Sequence, residues 1–194
     1  MHGLINRALQ NFLRDTYGSD SWATIAAAAQ VEGGGFEAML PYPEDVTDRV
    51  IAAAAAHLTT PPTMILEDLG TYLVSDPGME ALRRLLRFGG ATFLEFLYSL
   101  DDLPDRIRLA VPDLALPRLE LVEDGRNRFL LRCNDGWPGF CCMMLGILRA
   151  MADDYGALVM LESSPGTGQA PTLRVRLLDM RFAEGRRFSL RGSA

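Results

Sequence analysis

Few side chains in this sequence could bind a metal or act as nucleophiles. Among its 194 residues are three cysteines, Cys133, Cys141 and Cys142, and two histidines, His2 and His57. No Cys-x-x-Cys motif and no Cys/His pair has the spacing of a zinc site. An odd number of cysteines, two of them adjacent, argues against a disulfide framework and is typical of a protein in a reducing cytosol.

The short motifs of common catalytic sites are also missing. The sequence has no GxGxxG loop, no Walker-type phosphate loop and no Ser/His/Asp set. We expect the adjacent carboxylates of Asp101 and Asp102 to cap or solvate a helix beside Pro104, because proline is favoured in the first turn of a helix. The sequence therefore predicts a protein that is not an enzyme.

Composition and charge place the chain among bacterial, cytoplasmic proteins. The hydrophobic fraction of 48% suffices for a core, and no apolar run is long enough to cross a membrane or resembles a signal peptide. All 19 basic residues are arginine, which together with many alanines suggests a GC-rich genome. Residues 172–194 hold six arginines against two acidic residues, within a chain of net charge −6. We interpret this stretch as a solvated tail; contact with an acidic partner or a nucleic acid is the alternative.

The hydrophobic pattern that must position these residues predicts helices first and strands later. Apolar residues at helical spacing predict helices over residues 3–17, 19–30, 46–57, 64–73, 79–88 and 91–100. Predicted N-caps are Ser19, Asp20 or Ser21 for the second helix and Asp45 or Thr47 for the third. Strands are predicted over 119–122 and 128–133 around an Asp124-Gly125 turn, and over 158–162 and 173–178 around a 163–169 loop, with an apolar helix over 140–153 between the hairpins. This order of elements predicts an α+β fold.

Several segments together resemble the H-NOX family, the heme nitric oxide/oxygen-binding sensor domains that include the regulatory heme domain of soluble guanylate cyclase. The segments are Met1–Asn6, Tyr17-Gly18, Ser21-Trp22, Leu66–Leu73, Phe93–Leu97 with Leu100-Asp101, Val111-Pro112, Leu116-Pro117, Gly139-Phe140 and Gly146–Leu148. None of these motifs is specific alone. Their order and spacing are specific, and the resemblance covers nearly the whole chain.

The resemblance implies a single H-NOX-like domain over residues 1–194. A mainly helical lobe, residues 1–65, would pack on an α/β lobe, residues 66–194, that holds a small antiparallel sheet and a buried helix. In the family, an apolar cavity between the lobes holds heme b. Ile5 and Pro117 match the positions that press on the faces of the heme, and both are apolar here.

The polar heme contacts of the family are replaced in this chain. Pro104 stands where the family has the histidine that binds the iron, and proline offers no lone pair to a metal. The family's Tyr-x-Ser-x-Arg motif, which binds the heme propionates, matches Cys133, Asp135 and Trp137. An aspartate there would repel the propionates, and the adjacent Arg132 is expected on the opposite face of its strand.

Other residues could in principle ligate iron, because heme accepts histidine, cysteine, methionine or tyrosine. His57 lies on the helical face of Val46, Val50 and Ala54, and we expect it to point inward as a core histidine, with metal ligation as the weaker alternative. Cys142 and Met143 match the segment that surrounds the bound gas in the family. Cys141 and Cys142 are about 100° apart on a helix, so at most one of them faces the cavity. Met143, Met144, Ile147 and Met151 are expected to pack in the core.

These residues predict a regulatory domain rather than a typical heme sensor. We expect a stand-alone sensor or regulatory domain with no heme held in the family's manner, which binds another small or hydrophobic ligand or only a signalling partner. By resemblance, the partner is a separate histidine kinase or diguanylate cyclase, and neither nucleic acid nor membrane is expected to bind. The alternative is a gas sensor that holds heme b through a different axial ligand.

Overall fold

The computed structural model describes residues 1–164 and 171–188. The chain divides into two compact units, Met1–Leu69 and a second unit that begins at Gly70. Among the described residues, no helix is both long enough and apolar enough to cross a bilayer.

The first unit is built of helices α1 (Gly3–Tyr17), α2 (Ser19–Ala28) and α3 (Glu44–Leu58), followed by the start of α4 (Pro62–Ser75). Leu9, Phe12 and Leu13 recur at helical spacing on α1, and all three are buried. The helix starts at His2, whose Nδ1 accepts a hydrogen bond from the Leu4 amide at 3.1 Å, and it ends at Gly18, which has a φ of 92°. The predicted helix over residues 3–17 is therefore confirmed.

The predicted N-caps of α2 and α3 are wrong. Gly18 and Pro43 occupy the N-cap positions, and neither cap has a side-chain hydrogen bond. Thr47 is instead fully buried, and its hydroxyl donates to Oδ1 of Asn6 at 2.6 Å, which joins α3 to α1. A threonine chosen as a cap from local sequence is thus used for a contact that is distant in sequence.

The second unit adds four helices and a sheet. After α4 come α5 (Glu80–Arg87), α6 (Phe93–Tyr98), α7 (Leu103–Ala110) and α8 (Gly139–Tyr155). α6 has a complete capping box between Thr92 and Glu95, which explains why this short helix starts where it does.

Four antiparallel strands form one sheet in the order β1-β2-β4-β3. The strands are β1 (Arg118–Glu123), β2 (Arg128–Asn134), β3 (Leu158–Ser164) and β4 (Thr172–Asp179). Alternate residues of β2 are buried, and Leu131 lies opposite Leu173 in the core. Both hairpins and the α+β class are confirmed. Ser163 and Ser164 belong to β3, and the rest of the predicted 163–169 loop lies outside the described residues.

Helix α8 is buried on almost every side, as its continuous apolar sequence predicts. Met143, Met144, Ile147 and Met151 are core residues, as expected. The helix passes very close to α4 at Gly70, where a Cβ atom would lie only 1.9 Å from the carbonyl oxygen of Met143. Glycine is therefore required at this crossing by the approach of the two backbones.

The arginine-rich stretch begins as a strand, and the arginines of its described part are exposed. Arg174 and Arg176 lie in β4, and the chain then packs beside α8. The Ala183 amide donates to the Gly156 carbonyl at 3.1 Å, and the Arg186 amide donates to the Asp154 carbonyl at 2.9 Å. Residues Thr172–Asp179 are thus a strand and not a tail, which composition alone does not predict, because arginines that alternate along a strand and arginines in a free tail have the same composition. The solvation expected of the stretch agrees with the exposure of its described arginines. Arg191 lies outside the described residues.

Candidate functional site

Pro104 lies in the first turn of α7 and is buried together with Leu103. The first turn of a helix tolerates proline because its missing N–H would have no intrahelical partner. Proline at this position is therefore a well-placed structural residue. Its ring carries no atom that can donate electrons to a metal.

Asp101 and Asp102, which precede Pro104, have different roles, and the sequence did not predict this difference. Asp102 is the N-cap of α7 and makes no side-chain capping hydrogen bond. Asp101 does not cap either: its Oδ1 accepts a hydrogen bond from the Leu121 amide of β1 at 2.7 Å. The pair was expected to cap or solvate the helix, but Asp101 instead connects the start of α7 to the sheet.

Arg106 connects α7 to neighbouring parts of the chain through hydrogen bonds. Its guanidinium donates to the Ser99 carbonyl at 3.2 Å and to the Leu85 carbonyl of α5 at 3.4 Å. Burial lowers the pKa of Arg106 below its ordinary value, and its Nε has no hydrogen-bond partner among the residues that the structure describes. Helix α7 is thus tied to β1 on one side and to α5 on the other.

A cavity of about 310 Å³ lies where β2 turns into α8. It brings together four of the residues that the sequence analysis proposed, Pro117, Cys133, Asp135 and Trp137. Asp135 has a φ of 54° and Gly136 a φ of 142°, so the chain reverses direction here through two left-handed residues. The turn places Trp137 and the first residues of α8 against the buried end of β2.

The cavity also includes Cys141, which the sequence analysis did not propose as a site residue. The influence of Cys141 lowers the pKa of Cys133, and the influence of Cys133, together with burial, raises the pKa of Cys141. Cys142 is not among the residues that line this cavity. The inward position of Cys133 on β2 and the placement of Cys141 in the first turn of α8 were the available signals.

The remaining sequence candidates lie apart from this cavity. Met143 is buried in α8, and Cys142 is half-buried there, with a pKa raised by burial. Ile5 is half-buried in the first unit. His57, expected to point inward, is exposed on α3 and was assigned wrongly, because the helix ends one residue later, where the inward face is no longer covered.

Arg132 does not compensate for the missing arginine of the family motif. It is exposed on the outer face of β2, and its guanidinium lies 3.5 Å from the Glu120 carboxylate of β1. Cys133, the next residue, is 8% exposed and faces inward. The expectation that Arg132 points away from Cys133 is confirmed.

The side chains at the positions that the sequence analysis matched to the family's polar heme contacts do not fit heme. Pro104 offers no axial ligand. The three positions that would hold the propionates carry a buried thiol, an exposed carboxylate and a half-buried indole. None of the three side chains supplies a hydroxyl or a guanidinium, the donors with which the family's motif binds the propionates. In the described part of the chain, no cluster of three or more His, Cys, Asp or Glu residues is arranged to hold a metal ion.

Sequence relatives of the chain are soluble guanylate cyclases. It is 23% identical over 154 residues to soluble guanylate cyclase gcy-31 of Caenorhabditis elegans, covering 79% of this chain and 22% of that protein. It is 19% identical over 160 residues to soluble guanylate cyclase 89Db of Drosophila melanogaster, covering 82% of this chain and 24% of the relative. The chain thus spans about a quarter of the length of these relatives.

Solved H-NOX structures share the fold. The H-NOX protein from S. oneidensis in the Fe(II)NO state matches with a TM-score of 0.78 at 15% identity, covering 92% of this chain and 100% of that one. The Fe(II) unliganded H-NOX protein from K. algicida matches with a TM-score of 0.77 at 16% identity, covering 92% and 97%. The model of the Haem-NO-binding family matches residues 2–163, which include parts of both units, and the chain therefore belongs to this family of gas-sensor domains.

Proposed function

We propose that this chain is a sensor or regulatory domain of the Haem-NO-binding family that does not hold heme in the family's manner. It responds to a different small or hydrophobic ligand, or only to a signalling partner. The observation that carries this proposal is the buried Pro104 in the first turn of α7. The sequence resemblance matches this position to the family's iron ligand. No rotation of its side chain supplies a ligand atom.

The cavity residues support the proposal independently of Pro104. Cys133, Asp135 and Trp137 replace all three groups that bind the propionates, and one replacement introduces a negative charge. A single lost contact could be compensated by its neighbours. Four changed positions on two separate elements, α7 and the β2–α8 turn, indicate a site selected for something else.

Helix α7 is the element through which we propose that the domain signals. Asp101 links it to β1 and Arg106 links it to α5, so a displacement of α7 must stretch hydrogen bonds to both. Since iron cannot pull on Pro104, the displacement comes from ligand binding or partner docking elsewhere in the domain.

The partner that we propose is a separate histidine kinase or diguanylate cyclase in the bacterial cytoplasm. The sequence relatives carry the name of guanylate cyclase, and the chain matches about a quarter of their length. We propose that the chain itself is not catalytic, that it binds neither nucleic acid nor membrane, and that its two units act as one domain over residues 1–194, with lobes at 1–65 and 66–194.

The competing function is a nitric oxide sensor in which another residue binds heme iron. His57 was the alternative ligand proposed from the sequence, and its exposure on α3 gives it no buried site in which to hold heme. His2 uses its Nδ1 to cap α1.

An absorption spectrum distinguishes these functions. The purified protein should be titrated with hemin, reduced and exposed to nitric oxide, while the Soret band and the thermal unfolding midpoint are recorded. We expect no stoichiometric Soret band and no change in the midpoint. A one-to-one band that shifts with nitric oxide would contradict the proposal and support the gas sensor.

A further inference from the structure

The outer face of the sheet carries three arginines that the proposed function does not use. Arg128 of β2 lies directly opposite Arg176 of β4, and Arg174 is the next outward residue along β4. All three side chains are exposed. Like charges at directly opposite positions of two strands repel each other and destabilise a sheet. The strand pairing therefore holds Arg128 and Arg176 together against their mutual repulsion.

These arginines line a shallow groove of about 280 Å³ that also has apolar walls. Leu130 of β2 pairs with Arg174 on one side, and Met160 of β3 pairs with Arg176 on the other. Leu130 is half-buried and Met160 is 46% exposed. The sheet-face patch consists of Arg128, Leu130, Met160, Arg174 and Arg176. It combines arginine and methionine, two residue types that are enriched where proteins dock on one another.

The charge of the sheet-face patch is not neutralised within the described part of the chain. Arg132, on the same face, is paired with the Glu120 carboxylate at 3.5 Å. The guanidinium groups of Arg174 and Arg176 form no such ion pair with any residue that the structure describes, although Glu162 is the strand partner of Arg174. The patch thus presents unpaired positive charge beside exposed apolar surface.

We propose that the sheet-face patch docks an acidic segment of the protein partner. This inference rests on the part of the proposed function that gives the domain a separate protein partner. Carboxylates pair with guanidinium groups through charge-assisted hydrogen bonds, and complementary charge steers and orients association. A partner carboxylate between Arg128 and Arg176 would supply the negative charge that their strand positions lack.

The spacing of the arginines defines the segment that fits. Neighbouring strands lie about 5 Å apart, and alternate residues of one strand lie about 7 Å apart. One carboxylate can therefore bridge Arg128 and Arg176, while another, displaced along β4, reaches Arg174. An apolar side chain beside the carboxylates would cover Met160. The expected segment thus has acidic side chains spaced by about 7 Å with an apolar residue next to them.

A short acidic segment fits this surface better than a nucleic acid does. The chain has a net charge of −6, so a long polyanion that extends beyond the patch meets a negatively charged molecule. Charges separated by more than about 8 Å are largely screened at physiological salt. A segment that contacts only the patch therefore responds mainly to the local positive charge.

The test is a calorimetric titration of the full chain with a short peptide of alternating glutamate and leucine, whose glutamates share one face. A peptide with glutamine in place of glutamate is the matched control. We expect only the acidic peptide to bind, with an affinity that falls as salt is added. No binding, or equal binding of the two peptides, would overturn the proposal. Such a failure would leave the hemin titration unchanged, so it is distinguishable from a failure of the proposed function.

Arg176→Glu tests the arginines directly. The new carboxylate lies opposite Arg128, so it replaces a repulsive pair with an attractive one and should not lower the thermal unfolding midpoint. We expect it to weaken binding of the acidic peptide by about tenfold. Arg108→Glu is the control, because it changes the net charge equally at an exposed arginine of α7 and should alter the affinity by less than about twofold. Equal losses in both variants would reject a localised site.

Glu162→Gln should have the opposite effect. It removes the carboxylate across from Arg174, so the acidic peptide should bind about twofold more tightly; unchanged or weaker binding would contradict the role given to Arg174. A duplex oligonucleotide and inorganic pyrophosphate are titrated in parallel. If either one binds as tightly as the peptide and loses affinity in Arg176→Glu, the patch recognises a nucleic acid or a small anion and not an acidic protein segment.

Discussion

Nε of Arg83 on α5 donates to Oδ1 of Asp154 on α8 at 2.8 Å, and both side chains are buried, at 5% and 0% exposure. Arg87 lies 3.5 Å from the other carboxylate oxygen, and Arg186 lies 3.9 Å from Oδ1. The buried carboxylate of Asp154 therefore pairs with three guanidinium groups, two from α5 and one from the chain that follows β4. Breaking a buried pair costs much more than breaking an exposed one, because the remaining charge is left without compensation.

Asp154→Asn should strongly destabilise the protein. The substitution keeps the shape of the side chain but removes the charge that faces three arginines, and we expect a loss of about 3 kcal/mol in the free energy of unfolding. Urea denaturation followed by circular dichroism measures it. Asp45→Asn is the control, since Asp45 pairs with Arg49 at the surface of α3 and should change stability by less than about 0.5 kcal/mol. Equal losses of stability in the two variants would show that the buried Asp154 cluster contributes no more to stability than the surface pair of Asp45 and Arg49.

Asp101→Ala should loosen the attachment of α7 to β1. The Leu121 amide loses its acceptor, so we expect a cost of about 1 kcal/mol and faster hydrogen exchange at that amide. Asp102→Ala changes an identical neighbouring side chain that makes no capping hydrogen bond, and it should leave the exchange rate of Leu121 unchanged. If both variants accelerate exchange equally, the effect comes from the local charge and not from the hydrogen bond.

Tyr155 makes stability sensitive to alkaline pH. Burial raises the pKa of Tyr155 from 10.0 to about 12, and its hydroxyl donates to the Gly90 carbonyl at 2.8 Å. Because the folded-state pKa is raised, this stabilising contribution is complete below pH 10 and is lost as the pH rises from 10 towards about 12.

Tyr155→Phe should therefore flatten the alkaline fall in stability. The variant keeps an aromatic ring beneath Arg87, whose guanidinium carbon lies 3.9 Å from the ring centroid. We expect lower stability than the parent at pH 8, from the lost hydrogen bond, and a smaller further loss between pH 10 and pH 12. Parallel pH profiles for the parent and Tyr155→Phe would exclude Tyr155 as the source.

Pro104→His alone should not restore tight heme binding. It supplies an iron ligand, but the propionate positions still lack their donors, so we expect no stoichiometric five-coordinate Soret spectrum. The fourfold variant Pro104→His, Cys133→Tyr, Asp135→Asn and Trp137→Arg restores the ligand, a hydroxyl and a guanidinium. Asparagine is used at position 135 because it tolerates the φ of 54° there. Hemin titration compares the two variants, and tight binding by the single variant would contradict the role assigned to the other three positions.

Hydrophobic periodicity was sufficient to predict most of the secondary structure. The bounds of α1 agree with the prediction, and both hairpins were located, because amphipathic spacing and a turn at Asp124-Gly125 are local signals. The caps of α2 and α3 were not predictable. The hydroxyl of Thr47 has its partner on α1, 41 residues away in sequence, and a local rule cannot detect such a contact.

In the candidate site, too, features set by the local sequence could be predicted and features set by distant parts of the chain could not. The position of Cys133 on the buried face of β2 followed from alternation along the strand. The placement of Cys141 at the same cavity depends on how the left-handed turn at Asp135 and Gly136 directs α8, and no spacing rule specifies that direction. The predicted burial of His57 was wrong for a related reason, because a position on a helical face is buried only where another element covers that face.

The hydrogen bonds that hold the chain beyond β4 have a mechanical consequence. The amides of Arg186 and Ala183 donate hydrogen bonds to the carbonyls of Asp154 and Gly156. The Arg187 carbonyl accepts a hydrogen bond from the Arg83 guanidinium. A pulling force applied at Phe188 would act on these hydrogen bonds before it reached β4. The force would pass directly into α5 and α8, and the buried charge cluster would be the first part of the second unit to resist it.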